Sequence, residues 1–219
     1  MKITRQTIRG SPYIGVFCCI TEKIGLIPFD LGPKENKNLE SLLGIEIIQT
    51  KLAESSLLGI LAAGNSNGFV AGEIATDHEI KELEKKGIRI KKISGISAIG
   101  NLMEANDSRG MCSEAIKPKT RKEIEGFLKI ELKTGKIAGT DLIGSCVVAT
   151  NKGFVINPNA TEKEISEAKK AFELEGKATT ANYGDVFLGN SIAANTKAAI
   201  AGENTSGTEL MRIEEGLNG

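Results

Sequence analysis

Residues 55–93 read SSLLGILAAGNSNGFVAGEIATDHEIKELEKKGIRIKKI. After the Leu57-Leu58 pair, Gly59 opens the small, apolar run GILAAG, which is too short for a helix and predicts a strand. The NSNG segment that follows is a turn signal: Asn bonds its own backbone, and Gly takes positive φ. GFVAG is the return strand of that hairpin. Thr76-x-x-Glu79 fits a capping box, and Ile80 and Leu83 continue at helical spacing. The alternating segment GIRIKKI closes the stretch as a third strand.

The same order returns in SAIGNLMEANDSRGMCSEAI (97–116), DLIGSCVVATNKGFVINPNATEKEI (141–165) and VFLGNSIAANTKAAIAGENTSGTEL (186–210). Glycines after an aromatic or aliphatic pair stand at Gly15, Gly59, Gly100, Gly144 and Gly189, separated by 44, 41, 44 and 45 residues. A second glycine follows each at Gly25, Gly68, Gly110 and Gly153, with Ala198 in the fifth copy. Thr120-x-x-Glu123 and Thr161-x-x-Glu164 repeat the capping pattern, and Ile124, Phe127 and Leu128, then Ile165, Ala168 and Phe172, then Leu210, Ile213 and Leu217 supply apolar helix faces. The predicted unit is strand, turn, strand, helix, strand, of roughly 40 residues, the size of a propeller-like blade. Its copies fall near 11–54, 55–96, 97–139, 140–184 and 185–219, as one α/β domain. The first copy has a weak turn, TEKIG, and a short helix around Asn38–Leu43. The fifth ends after its helix, while KITRQTIR (2–9) is an unassigned strand; a closed ring in which this strand completes the fifth unit removes both open edges.

Composition narrows the function. With 28 basic and 28 acidic side chains the formal net charge is zero, which argues against a protein whose main task is wrapping nucleic-acid phosphate. Aromatics are 4% and Trp is absent, so the core rests on Ile, Leu, Val and Ala. Cys18, Cys19, Cys112 and Cys146 form no CxxC pair and have no His-x₃₋₅-His companion, so no metal site is expected; they read as apolar strand residues of a reducing compartment. No signal-peptide pattern opens the chain and no run approaches a membrane span, so a cytoplasmic protein is expected.

Three stretches resemble the translation initiation factor 6 family, its archaeal branch in particular: AIGNLMEAND, IGSCVVATNKGFVINPNAT and AANTKAAIAGENTSGTELMRIEEGL. The last is similar to the family's ANxKGxxxGxxTTGPEL, with Ala198 and Thr208 where Gly and Pro are usual. The resemblance runs over essentially the whole chain. It implies a pentein fold, a five-bladed α/β propeller around a pseudo-fivefold axis. It implies binding to the large (50S) ribosomal subunit, near a uL14-type ribosomal protein and the sarcin-ricin loop rRNA, so that the small (30S) subunit cannot dock. A role in large-subunit biogenesis, no cofactor and a monomeric state go with that expectation.

The strand-strand turns gather on one edge of the predicted ring. They run Thr21–Gly25, Asn65–Gly68, Asn106–Gly110, Thr150–Gly153 and Asn195–Ala198, and carry Lys23, Arg109, Lys152 and Lys197 against Glu22 and Asp107, a balance of plus two. The candidate contact residues are Asn65, Asn67, Asn106, Arg109, Asn151, Lys152, Asn195 and Lys197, with the C-terminal helix beside them. Asn before Gly also serves a tight turn for its own sake, so Asn65, Asn106 and Asn195 have a purely structural alternative. Asn101 and Asn190, directly after unit glycines, are expected to make structural hydrogen bonds in the central channel. Two rival functions are a non-ribosomal ring-shaped scaffold and a guanidino-group-modifying enzyme of the same fold. The enzyme needs a Cys nucleophile served by His. The single histidine, His78, lies between Asp77 and Glu79 in a first helical turn, and no Cys lies in the fifth unit, so catalysis is not expected.

Overall fold

The computed structural model describes all 219 residues, as five three-stranded sheets. The first unit comprises α1 (Ile14–Phe17), β2 (Cys19–Ile20), β3 (Ile24–Pro28), α2 (Pro33–Leu43) and β4 (Glu46–Thr50), after an N-terminal β1 (Lys2–Gln6). The second has α3 (Leu58–Leu61), β5 (Ala62–Asn65), β6 (Gly68–Gly72), α4 (Asp77–Lys85) and β7 (Ile90–Ile93). The third has α5 (Ile99–Leu102), β8 (Met103–Ala105), β9 (Arg109–Ser113), α6 (Pro118–Leu128) and β10 (Glu131–Gly135). The fourth has α7 (Ile143–Cys146), β11 (Val147–Ala149), β12 (Phe154–Ile156), α8 (Glu162–Phe172) and β13 (Gly176–Ala178). The fifth has α9 (Leu188–Ser191), β14 (Ile192–Ala194), β15 (Ala198–Gly202) and α10 (Gly207–Asn218).

In each sheet the hairpin pair is antiparallel and the third strand returns parallel to the middle one. The parallel partner of β15 is β1, in register from Lys2 opposite Ala198 to Gln6 opposite Gly202. The fold is therefore a mixed α/β ring of five repeated units, pentein-like in architecture.

No unit owns its core. Ala63, Val70 and Ile93 of the second unit pack with Met103, Ile124 and Leu128 of the third, and Ala193, Ala198 and Ile200 of the fifth pack with Ile14, Leu39 and Leu43 of the first. Each sheet buries one face only against the next unit's helix, so a single unit cannot hide its apolar surface alone.

The unit glycines correct one expectation. They do not open strands: each is the second residue of a one-turn helix, α1, α3, α5, α7 or α9, and the strand begins three residues later, or four in the first unit. The reason for glycine is a close approach. A Cβ on Gly15, Gly59, Gly100, Gly144 or Gly189 would lie well inside 3.0 Å of the backbone oxygen of the unit glycine before it around the ring, Gly15 following Gly189. The period seen in the sequence is the spacing of this closed ring of backbone contacts. Accordingly Cys146 ends α7 and Cys18 follows α1, outside strands, while Cys19 and Cys112 lie in β2 and β9; all four are buried.

The helix starts differ from expectation in the first, third and fifth units. Thr76 and Thr161 are N-caps whose hydroxyls accept from the N–H of Glu79 and Glu164, 3.2 Å in both cases. Thr120 is not, because Pro118 already occupies the first turn of α6 and Lys117 is its cap; Thr120 stands at the third helical position. Ser206 and Glu209 form a capping box on α10 that was not anticipated. In the first unit α2 runs over 11 residues from Pro33, longer than the short helix expected near Asn38.

Three of the capping glutamates do a second job, Glu164 by accepting from Gly139 N at 3.0 Å. Glu79 Oε2 and Oε1 accept from the N–H groups of Ala53 and Glu54, both 2.9 Å, and Glu209 accepts from Tyr183 and Gly184 at 3.3 and 2.9 Å. Ala53, Glu54 and Tyr183 have positive φ of 52°, 56° and 66°, so these left-handed turns point successive N–H groups at a carboxylate. Burial works to raise the carboxyls of Glu79 and Glu209, yet the hydrogen bonds outweigh it and hold them below the ordinary range.

Candidate binding interface on the turn edge

The five hairpin turns meet around one mouth of the central channel, with Glu22, Asn65, Asp107, Asn151 and Ala194 on its rim. In every unit the first turn residue is Asn or Thr, and its side-chain oxygen accepts from the N–H two residues on: Asn65 from Asn67 (2.9 Å), Asn106 from Ser108 (2.9 Å), Asn195 from Lys197 (2.9 Å), Thr150 from Lys152 (3.1 Å) and Thr21 from Lys23 (3.3 Å). In three of the five the donor end then reaches the neighbouring unit. Asn65 Nδ2 donates to Leu128 O (3.1 Å), Thr150 Oγ1 to Leu217 O (2.9 Å) and Asn195 Nδ2 to Leu43 O (2.9 Å). Each of these oxygens lies in the last turn of a helix, where a carbonyl has no partner within the helix. The turn of one unit thus caps the helix of the next.

The candidate residues divide accordingly. Asn65, Asn106 and Asn195 are buried, and their amides hold turns. Asn67 is half-buried and donates to Leu128 O at 2.9 Å. Asn151, Lys152 and Lys197 are exposed. Arg109 is half-buried between Glu131 (2.8 Å) and Glu173 (2.7 Å), the latter at the C-terminus of α8, so it ties the third unit to the fourth. Lys197 Nζ donates to Gly44 O at 2.6 Å, at the end of α2.

Contacts between turns went unnoticed in the sequence. Asp107 accepts from Ser66 N and Oγ and from Asn151 Nδ2, all at 2.8 Å, while Asn151 Oδ1 accepts from Asp107 N at 2.9 Å. Glu22 likewise accepts from Thr196 N and Oγ1 at 2.9 and 2.6 Å. The pairs are separated by 41 or 44 residues in the chain, or close the ring between its ends, so the signal that would have found them is an offset of one repeat. Arg89, also missed, donates to Asn67 O and Phe127 O at 2.6 Å and lies 3.8 Å from the Phe127 ring centroid. The result is a rigid rim from which Lys23 and Lys152 project free of ion pairs, beside an exposed Asn151 tied to Asp107.

Behind the rim lies a channel of about 80 Å³, lined by the unit glycines and by Cys19, Ala63, Glu104, Val148 and Ala193. Glu104 stands where the other units have small or apolar residues. Its Oε1 accepts from Ala149 N at 2.8 Å, and burial pushes its carboxyl up to about 8. Asn101 and Asn190 do not line this channel; Asn101 Oδ1 accepts from Ser145 Oγ at 3.2 Å in the layer of one-turn helices. The thiols are raised by burial, Cys18 to about 12 and Cys112 to about 11, and His78 is exposed.

A ring of five interlocked α/β units with one stiff, polar, mildly cationic rim defines a pentein-type fold. Residues 3–216 match the model of the eIF-6 family, and the chain belongs to that family. It is 32% identical to Translation initiation factor 6 of Thermococcus onnurineus, over 99% of this chain and 98% of that one. With the protein of the same name from Methanocella arvoryzae it shares 36% identity over 95% and 94%. Among solved structures, C. jejuni agmatine deiminase aligns with a TM-score of 0.41 at 13% identity, covering 56% of this chain and 50% of that one. No helix is long and apolar enough to cross a membrane.

Proposed function

We propose that the chain is a non-catalytic, monomeric translation factor of the cytoplasm, which binds the large ribosomal subunit through its turn edge and keeps the small subunit from joining. It acts as one closed domain, and needs no cofactor. The observation that carries the reading is the rim itself in a member of this family: exposed Lys23, Asn151, Lys152 and Lys197 stand on turns that are hydrogen-bonded to one another and to the helix ends. Such a rim suits a mixed surface of ribosomal protein and rRNA, since its cations reach phosphate and its amides and backbone reach protein. Rigidity lowers the ordering cost of docking, and exclusion of the small subunit follows from occupancy alone.

Binding to purified archaeal large subunits by sedimentation, with subunit joining followed by light scattering, tests this. Lys152→Glu with Lys23→Glu is expected to weaken large-subunit binding at least tenfold and restore joining, with an unchanged circular dichroism spectrum. Equal affinity of the double variant and the parent would remove the turn edge from the mechanism; failure of the parent to bind large subunits would remove the function.

A further inference from the structure

Each turn of the rim carries a second residue after its Asn or Thr: Glu22, Ser66, Asp107, Asn151 and Thr196 in unit order. Around the mouth these side chains form a broken ring. Asp107 accepts from Ser66 N through Oδ1, and from Ser66 Oγ and Asn151 Nδ2 through Oδ2, each at 2.8 Å. Its own N–H donates to Asn151 Oδ1 at 2.9 Å. The second, third and fourth turns are thereby one hydrogen-bonded arc, and Glu22 with Thr196 joins the first and fifth as another. Nothing of the kind links Glu22 to Ser66 or Asn151 to Thr196.

The two gaps show what these links are not for. Between the first and second units the ring is held by Leu26 and Ile48 against Leu58, Phe69 and Leu83, and between the fourth and fifth by Val148 and Val155 against Ile192, Ile213 and Leu217. Neighbouring units therefore close on one another without a bond between their second turn residues. What the Asp107 link adds is order at the surface. Asn151 is exposed at the tip of its turn, with Lys152 next to it, and its side chain hydrogen-bonds to Asp107 alone. A tip left free to rotate must be immobilised when it docks, at a cost in affinity.

We infer that Asp107 is a positioning residue of the docking edge, acting through Asn151 to hold the fourth turn, and Lys152 with it, in the pose that the large subunit meets; this rests on the function proposed above. The sign of the effect separates position from charge. A carboxylate among cations that approach rRNA phosphate weakens their field, so on charge alone Asp107→Asn strengthens binding. Positioning demands the reverse: whichever way it is turned, an amide at 107 sets its donor against Ser66 N or against Asn151 Nδ2. Asn151→Asp fails in the other sense, with two carboxylates opposed. The exchanged pair, Asp107→Asn with Asn151→Asp, again sets one amide against one carboxylate, with Ser66 Oγ now accepting. Sedimentation with purified large subunits measures binding, and exchange of the residue 107 amide proton, followed by NMR on the free protein, measures the order of the turns. Each single variant is expected to bind about threefold to tenfold more weakly than the parent. The exchanged pair should return to within about twofold of it. Melting midpoints of all three should stay within about 4 °C of the parent's. The amide proton exchanges faster in the single variants and slows again in the exchanged pair. Binding by Asp107→Asn as tight as the parent's or tighter, an exchanged pair no better than the singles, or affinity that falls only in step with the melting midpoint would each overturn the inference. A parent that binds no large subunit would remove the proposed function instead, and the exchange rates would then judge the positioning by themselves: equal rates in the parent and the single variants would overturn it.

Discussion

Asn195 is the residue on which the turn edge can be judged most directly. Its amide donates to Leu43 O, and its oxygen accepts from Lys197 and Ala198. Asn195→Ala leaves those groups unpaired in a buried place and is expected to cost roughly 1–3 kcal/mol in urea denaturation. A loss of large-subunit binding by that variant without a loss of stability would mean that the amide serves a partner instead. Glu104 makes the opposite kind of case. Its folded pKa lies at about 8, above the ordinary carboxylate value, because burial disfavours the charge. Its contribution is therefore fully present at acid pH and is lost as the pH rises toward about 8, where folding must hold a carboxylate half-buried in the channel. Glu104→Gln is expected to melt like the parent near pH 4.5 and higher than it at pH 8.5; parallel melting curves at both values would show that the channel solvates the charge. Nothing in the sequence singled out Glu104, since a lone acid in a short strand reads as solvent-facing until the ring places it on the axis.

At the scale of the element, the capping box joins helix to loop. Glu209 caps α10 through Ser206 N at 2.7 Å and holds the N–H groups of Tyr183 and Gly184, besides accepting from Thr180 Oγ1 at 2.7 Å. Glu209→Ala is expected to cost roughly 1–3 kcal/mol at pH 7, more than a surface cap alone, because the loop donors are stranded as well. Burial works to raise its carboxyl, and the hydrogen bonds lower it on balance; its stabilisation is therefore present above the ordinary carboxylate range and disappears as pH falls through the folded value. The gap between variant and parent should close on acidification, and a gap that persists at pH 2 would assign the effect to packing. The Thr76 and Thr161 boxes were legible because Thr-x-x-Glu precedes an apolar helical face. The same pattern at Thr120 misled, since Pro118 two residues earlier sets the helix start sooner. The loop half of the device was hidden, for residues 53 and 79 are not linked by any local spacing.

For the whole molecule, the repeat was legible because glycine is forced at each one-turn helix, and the strand order because each hairpin turn declares itself with Asn or Thr. The one-turn helices themselves were not, as four residues carry too little periodicity to separate from a strand. Gly144→Ala drives a methyl group into Gly100 O and is expected to destabilise the ring by about 3 kcal/mol or more, whereas Gly126→Ala, in the middle of α6 with open space around it, should be neutral or gain up to about 1 kcal/mol. Similar denaturation midpoints for the two would refute the close-contact account of the glycine period. The pairing of β1 with β15 bears on the order in which this chain is made. β1 is made long before β15, so it must wait for that later strand before it has a sheet to join, and the units between stand with the strand that seals them still unbound. The molecule reaches its working shape only once β15 has been made.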